Sequence, residues 1–191
     1  MPLPLVRARA ERLPLADESF DIVLSDYGAT TFSDPYCTIP EATRVLRPGG
    51  ILVFAHASPF RTLTEAPRAN RLRRRLLRDY FGLHEVRIGT EREFQLTYAE
   101  WVRLFTSSGL VLERLVEPPA PRSRGSTYVA RANLPWARRW PMESIWRLRK
   151  ATSSADRQGR RSALGTEHAS RRHGRAASGD PRRPRASEGT L

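Results

Sequence analysis

Lysine and cysteine are almost missing from this 191-residue chain: of 33 basic residues 32 are arginine, Lys150 is the one lysine, and Cys37 is the one cysteine. A lone thiol excludes a disulfide framework and a four-thiolate zinc site, and it suits a cytoplasmic setting. Long apolar runs are missing too. The longest, Ile51 to Ala55, falls far short of the roughly 20 residues a membrane helix needs, and the N-terminus shows no secretory apolar stretch. The apolar share is only 39%, low enough that part of the chain is expected not to fold. At about 100–200 residues per domain, the length allows one domain with or without a tail.

The formal net charge is +13, and the composition breaks near Lys150. From Ala151 to Leu191 there is no Val, Ile, Met, Phe, Tyr, Trp or Cys. Two leucines and a few alanines cannot offset an ordering cost of about 1–2 kcal/mol per backbone residue. The chain therefore divides into a folded part, 1–150, and a disordered Arg-rich tail, 151–191. A basic tail raises the question of phosphate neutralisation and nucleic-acid binding. It lacks the aromatics that single-strand binders interleave with their charges, so nucleic acid is not the expected partner. Out-of-frame translation of GC-rich DNA yields this residue mix, and a frameshift product or a solvated tail is the preferred reading.

Within 1–150, Leu3 to Arg7 and Phe20 to Ser25 are apolar runs of strand length. Ile39, Ala42, Val45 and Leu46 have helical spacing over Pro35 to Leu46, and Arg47-Pro48-Gly49-Gly50 stops that helix. Ile51 to Ala55 reads as a further buried strand. A basic helix is expected over about 66–81, and Thr97-Tyr98-Ala99-Glu100 is a capping-box pattern opening a helix that ends near Gly109. Leu110 to Val116 and Thr127 to Ala130 read as strands, and a short helix is expected from Pro141, with Trp136, Trp140 and Trp146 around it. Strands alternating with helices imply an α/β domain with a largely parallel sheet.

Three pieces carry more information than the rest. They are Ala10-Glu11-Arg12-Leu13-Pro14-Leu15, then Ser19-Phe20-Asp21-Ile22-Val23, then Glu41 with Arg44-Val45-Leu46-Arg47-Pro48-Gly49-Gly50. Each is weak alone. In this order and at this spacing they closely resemble the middle of a class I S-adenosylmethionine-dependent methyltransferase, of the broad group that methylates small molecules, quinones and sterols. The resemblance implies a Rossmann-like sheet, S-adenosylmethionine as cofactor and a small-molecule methyl acceptor. In open α/β sheets ligands lie at the carboxyl ends of strands. Family likeness carries over to Arg9, Ala10 and Glu11 around the adenine, and to Ser25, Asp26 and Tyr27 around the sulfonium. The family often has an acidic residue where Arg9 stands. A guanidinium accepts no hydrogen bond, so that contact would fall to the backbone of Ala10 and Glu11.

Methyl transfer asks for in-line placement more than for reactive side chains. A base is needed only where the acceptor carries a proton, and Asp26, Tyr27 and His56 stand at the right strand ends. Each has a plainer role: Asp26 as a turn cap, Tyr27 as a rim or core aromatic, His56 as a buried structural imidazole. Glu41 with Arg44 reads as a helix–loop ion pair, Cys37 as a small packed residue, and Arg71 to Arg78 as a solvated helix face that could guide an anionic acceptor. No residue is assigned as catalytic.

The chain contains no G-x-G, whereas a site of this kind draws on a glycine-rich turn after the first strand. By resemblance, Leu3 to Arg7 corresponds to the family's third strand, so an incomplete sheet lacking the first two strands is expected. In the family order 3-2-1-4-5-7-6, Phe20 to Ser25 would then be an apolar edge. The chain alone is not expected to be a working enzyme. A non-catalytic remnant and an Arg-rich nucleic-acid-binding protein or RNA methyltransferase stand as the alternatives. Acceptor identity and oligomeric state are left open.

Overall fold

The structure is a computed structural model and describes residues 3–66, 71–120 and 130–152. These described residues fall in one compact unit. The expected disordered tail lies outside the described residues beyond Thr152.

Four strands form the main sheet: β1 (Phe20–Asp26), β2 (Leu46–Ala57), β5 (Leu110–Val116) and β6 (Glu143–Lys150), in the order β1-β2-β6-β5. This is the 4-5-7-6 portion of the order that the resemblance implies. The sheet is mixed rather than largely parallel, because only β1 and β2 run in parallel while β6 is antiparallel to both neighbours. Helices α1 (Ala29–Phe32), α2 (Pro35–Val45), α3 (Pro59–Thr64), α4 (Tyr98–Ser107) and α5 (Leu134–Ala137) fill the connections, with a short hairpin of β3 (Glu85–Ile88) and β4 (Glu91–Phe94).

Local chemistry explains the best-read elements. Asp34 caps α2 by accepting from the Tyr36 N–H, with Pro35 in the first turn. The Arg47–Gly50 stop ends α2 and then becomes a bulge at the start of β2, where the register slips from Phe20↔Leu46 to Ile22↔Ile51. A Cβ on Gly50 would stand 2.9 Å from the Arg47 carbonyl oxygen and 3.1 Å from that of Asp21, so the bulge needs glycine there. The capping box of α4 is complete, with Thr97 and Glu100 each accepting the other's backbone N–H.

One face of the sheet carries the core. Leu52, Phe54, Trp146 and Leu148 meet Ile39 of α2 and Trp101, Leu104 and Phe105 of α4, all buried. Phe54 lies 5.4 Å from Trp101 and 6.2 Å from Trp146, ring centre to ring centre, within the range where aromatic pairs attract. The other face is apolar on β1, where Ile22 is 64% and Leu24 72% exposed. Among the described residues β1 pairs only with β2, so it is the expected apolar edge.

Three expectations fail and a fourth lies almost wholly outside the described residues. Leu3 to Arg7 forms no strand, and Leu3, Leu5 and Val6 are exposed. Residues 71–81 form no helix. Their backbone groups are taken by tertiary partners instead: Leu72 N–H donates to Asn133 Oδ1, Arg73 N–H to Thr64 O and Leu77 N–H to Leu63 O. Trp146 lies in β6, not beside a helix from Pro141. Of the strand expected at 127–130, residues 127–129 lie outside the described residues, and Ala130 is not in a strand.

Candidate functional site

Since β1, β2 and β5 run the same way, their carboxyl ends and the amino end of β6 share one rim of the sheet. Asp26, Ala57, Val116 and Glu143 mark it. Tyr27 leaves β1 at this rim with φ +44°, a conformation that costs a non-glycine residue energy, while its N–H still donates to Ala55 O at 3.2 Å.

The Tyr27 phenol, half-buried at this rim, feels the charges of Arg61 of α3 and Glu143 of β6. Burial first, then the Glu143 charge, raises its pKa well above the ordinary 10.0, so the phenol keeps its proton and acts as a donor. Arg61 donates to Glu65 Oε2 at 3.1 Å, and the Glu65 side chain is buried. Burial works against the Arg61 charge, but the charge and hydrogen bond of Glu65 lead the influences that outweigh it and the net shift is upward. Arg78 closes the cluster from below by donating to Thr62 O and Glu65 O, each at 2.6 Å.

A second polar group lies beneath the rim. The hydroxyls of Ser25 on β1, Thr30 and Thr31 on α1, and Thr38 on α2 are buried and have no hydrogen-bond partner among the described residues. Buried hydroxyls are normally satisfied, so these four, on β1 and the two helices that follow it, have unused hydrogen-bonding capacity.

Residues 9–12 form a separate turn, closed by the Arg12 N–H on Arg9 O at 3.1 Å. Arg9 is exposed and 3.7 Å from Glu11, while Ala10 and Glu11 are half-buried. The loop after this turn is clamped to α2. Leu13 N–H donates to Glu41 Oε1 at 2.6 Å, and the Arg44 guanidinium reaches Glu41, Asp17 and the carbonyls of Leu13 and Leu15. Glu41 with Arg44 is thus the helix–loop ion pair expected. No hydrogen bond or ion pair given by the structure joins residues 9–11 to residues 25–27, although both precede α2.

Residues 2–54 match a family model described as a methyltransferase domain. Uncharacterized protein YafE of Escherichia coli (strain K12) is 31% identical over 131 residues, which cover 67% of this chain and 56% of that protein. Demethylmenaquinone methyltransferase of Mycobacterium sp. (strain KMS) is 45% identical over 56 residues, 29% of this chain and 24% of the enzyme. Among solved structures, the S-adenosylmethionine dependent methyltransferase from Mesorhizobium loti superposes with TM-score 0.59 at 20% identity, covering 75% of this chain and 68% of that one. Residues 2–54 are thus similar to a methyltransferase domain, and the chain shares the fold of an S-adenosylmethionine dependent methyltransferase. It spans about half the length of YafE and about a quarter of the quinone enzyme.

A methyltransferase cofactor is polar along its whole length, and the orphaned Ser25 hydroxyl at the end of β1 fits such a ligand. Arg9 does not add an acceptor. His56, by contrast, belongs to the fold. It is fully buried, with Nε2 3.1 Å from Thr30 O and the Gln95 amide nitrogen 3.4 Å from Nδ1. Burial lowers its pKa, so it sits neutral and inside. Cys37 is exposed rather than packed. Arg71 to Arg78 is no helix face, since Arg78 turns inward while Arg73, Arg74 and Arg75 stay exposed.

Sequence reading missed Arg61, Glu65 and Glu143. Arg61 and Glu65 carry a signal, the four-residue spacing on one helix turn after Ser58-Pro59. Glu143 carries none, because it meets Tyr27 only through β6 pairing. Among the described residues no helix is long and apolar enough to cross a membrane.

Proposed function

We propose that these residues form the acceptor-side half of an S-adenosylmethionine-dependent methyltransferase site for a small molecule. The observation that carries the reading is the orphaned Ser25 hydroxyl at the carboxyl end of β1, directly before the strained Tyr27. Ser25, Asp26 and Tyr27 would contact the sulfonium end of the cofactor, and the backbone of Ala10 and Glu11, beside Arg9, its adenine. When bound, the cofactor supplies an electrophilic methyl group. The chain's own part is to hold the acceptor in line with it, with Tyr27, kept protonated by burial and the Glu143 charge, donating a hydrogen bond.

The chain has no glycine-rich turn to bring backbone against the cofactor, and β1 has one unpaired edge among the described residues. We infer that these 191 residues bind the cofactor weakly and do not turn over alone. The lone thiol suits the reducing cytoplasm. Equilibrium dialysis of the chain against labelled S-adenosylmethionine tests the reading. Weak, saturable retention that falls with Ser25→Ala is the expected result, and no retention beyond that of the free label contradicts it.

A further inference from the structure

A cavity of about 200 Å³ lies between α3, the irregular segment 71–77 and the α5 region, and the proposed methyl-transfer chemistry makes no use of it. Trp136, Trp140 and Phe60 form its apolar walls, and Arg73, Arg74 and Arg75 stand around it. The walls are built, not incidental. Trp136 Nε1 donates to Arg73 O at 2.9 Å, which fixes the indole against the arginine segment. Trp136 and Trp140 are 5.5 Å apart at 38° between planes, leaving a wedge of two aromatic faces. Arg139 lies over Trp140, 4.7 Å from the ring centre, and holds that indole in place. Phe60 enters from α3, one position before Arg61, so the cavity opens on a neighbouring face of α3 from the Tyr27 cluster.

The charge is as distinctive as the shape. Arg73, Arg74 and Arg75 are consecutive and exposed, and none makes a side-chain hydrogen bond or ion pair with a described residue. Each like charge raises the energy of the other two, and a single anion relieves all three. Guanidinium forks match carboxylate and phosphate oxygens, while the indole faces suit a flat apolar body.

We propose that this cavity is a binding site for a small planar aromatic anion, one ring carrying a carboxylate or phosphate. Its volume admits a single aromatic ring. The arginines take the anionic group and the tryptophans take the ring. The proposal stands on this cavity alone and does not depend on cofactor binding at Ser25.

Tryptophan fluorescence of the full chain tests it, because Trp101 and Trp146 are buried in the core and Trp136 and Trp140 line the cavity. Benzoate and phenyl phosphate are the probes, with benzamide and inorganic phosphate as the neutral and ring-free controls. The expected result is saturable quenching by both probes, at least about tenfold weaker with either control. The double variant Arg74→Gln/Arg75→Gln should weaken the probes by about tenfold with an unchanged melting temperature. Trp140→Leu should remove most of the quenching. Equal response to benzamide, equal competition by inorganic phosphate, or unaltered affinity in the double arginine variant would overturn the proposal. Failure of S-adenosylmethionine retention would leave these outcomes unaffected.

Discussion

Glu41 and Leu13, 28 positions apart, are joined by a hydrogen bond of 2.6 Å from the Leu13 N–H to the Glu41 carboxylate. Arg44 donates to the same carboxylate from Nε at 2.9 Å and from Nη2 at 2.7 Å. These contacts tie the loop carrying the candidate adenine turn to α2, and hence to the sheet.

This clamp makes stability depend on acid. Hydrogen bonds from Arg44 chiefly, opposed by burial and helped by Leu13, hold the Glu41 pKa at about 2 against 4.5 in the unfolded chain. The folded-state pKa is depressed, so the contribution is complete above about pH 4.5 and is lost as pH falls towards 2. Urea midpoints measured from pH 5 to pH 2 should fall less steeply for Glu41→Gln than for the unaltered chain. Parallel slopes would remove the clamp from the account.

His56 acts in a different window. Burial lowers its pKa below the ordinary 6.5, so the unfolded chain takes up a proton that the folded chain refuses. Stability should therefore decline as pH drops below about 6.5, and His56→Gln should flatten that decline. By NMR, the imidazole of the folded chain should not titrate near 6.5. A midpoint at 6.5 would place His56 in water.

The core and the open strand face should respond in opposite ways. Trp146→Ala empties the centre of the aromatic group and should cost about 3–5 kcal/mol in chemical denaturation. Ile22→Thr with Leu24→Thr, on the exposed face of β1, should change stability by no more than about 0.5 kcal/mol per site and reduce self-association in sedimentation. A large loss of stability in the second variant would mean that this face is covered.

Removing the α4 cap isolates a local effect. Thr97→Ala deletes the oxygen that accepts the Glu100 N–H at 3.2 Å, and should cost about 0.5–2 kcal/mol. Thr97→Ser should restore most of it. Equal losses in both variants would argue that the methyl group, not the hydroxyl, matters.

Elements whose signals are local were legible in the sequence. The β-branched run of β1, the stop after α2 and the reciprocal cap of α4 are each set by residues within one turn or one strand. Residues 71–81 failed because leucines and arginines at helical spacing describe propensity alone, and Thr64, Leu63 and Asn133 claim the backbone there. In β6 the alternation was present, with Ser144, Trp146 and Leu148 buried between more exposed neighbours. Its arginines hid it, because Arg147 and Arg149 find Glu113 on β5 only once the strands are paired. The site divides the same way. Ser25 to Tyr27 could be placed at a strand end by resemblance, whereas the electrostatic influence of Arg61 and Glu143 on Tyr27 joins three elements far apart in sequence.

The most direct test of the central claim is an NMR titration of the isotopically labelled chain with S-adenosylhomocysteine. The account predicts saturable shifts at the amides of Ser25, Asp26, Tyr27 and Gly28, weakened about 2- to 10-fold by Ser25→Ala with the fold intact. Shifts confined to other regions, or none at these four amides at the solubility limit of the ligand, would contradict it.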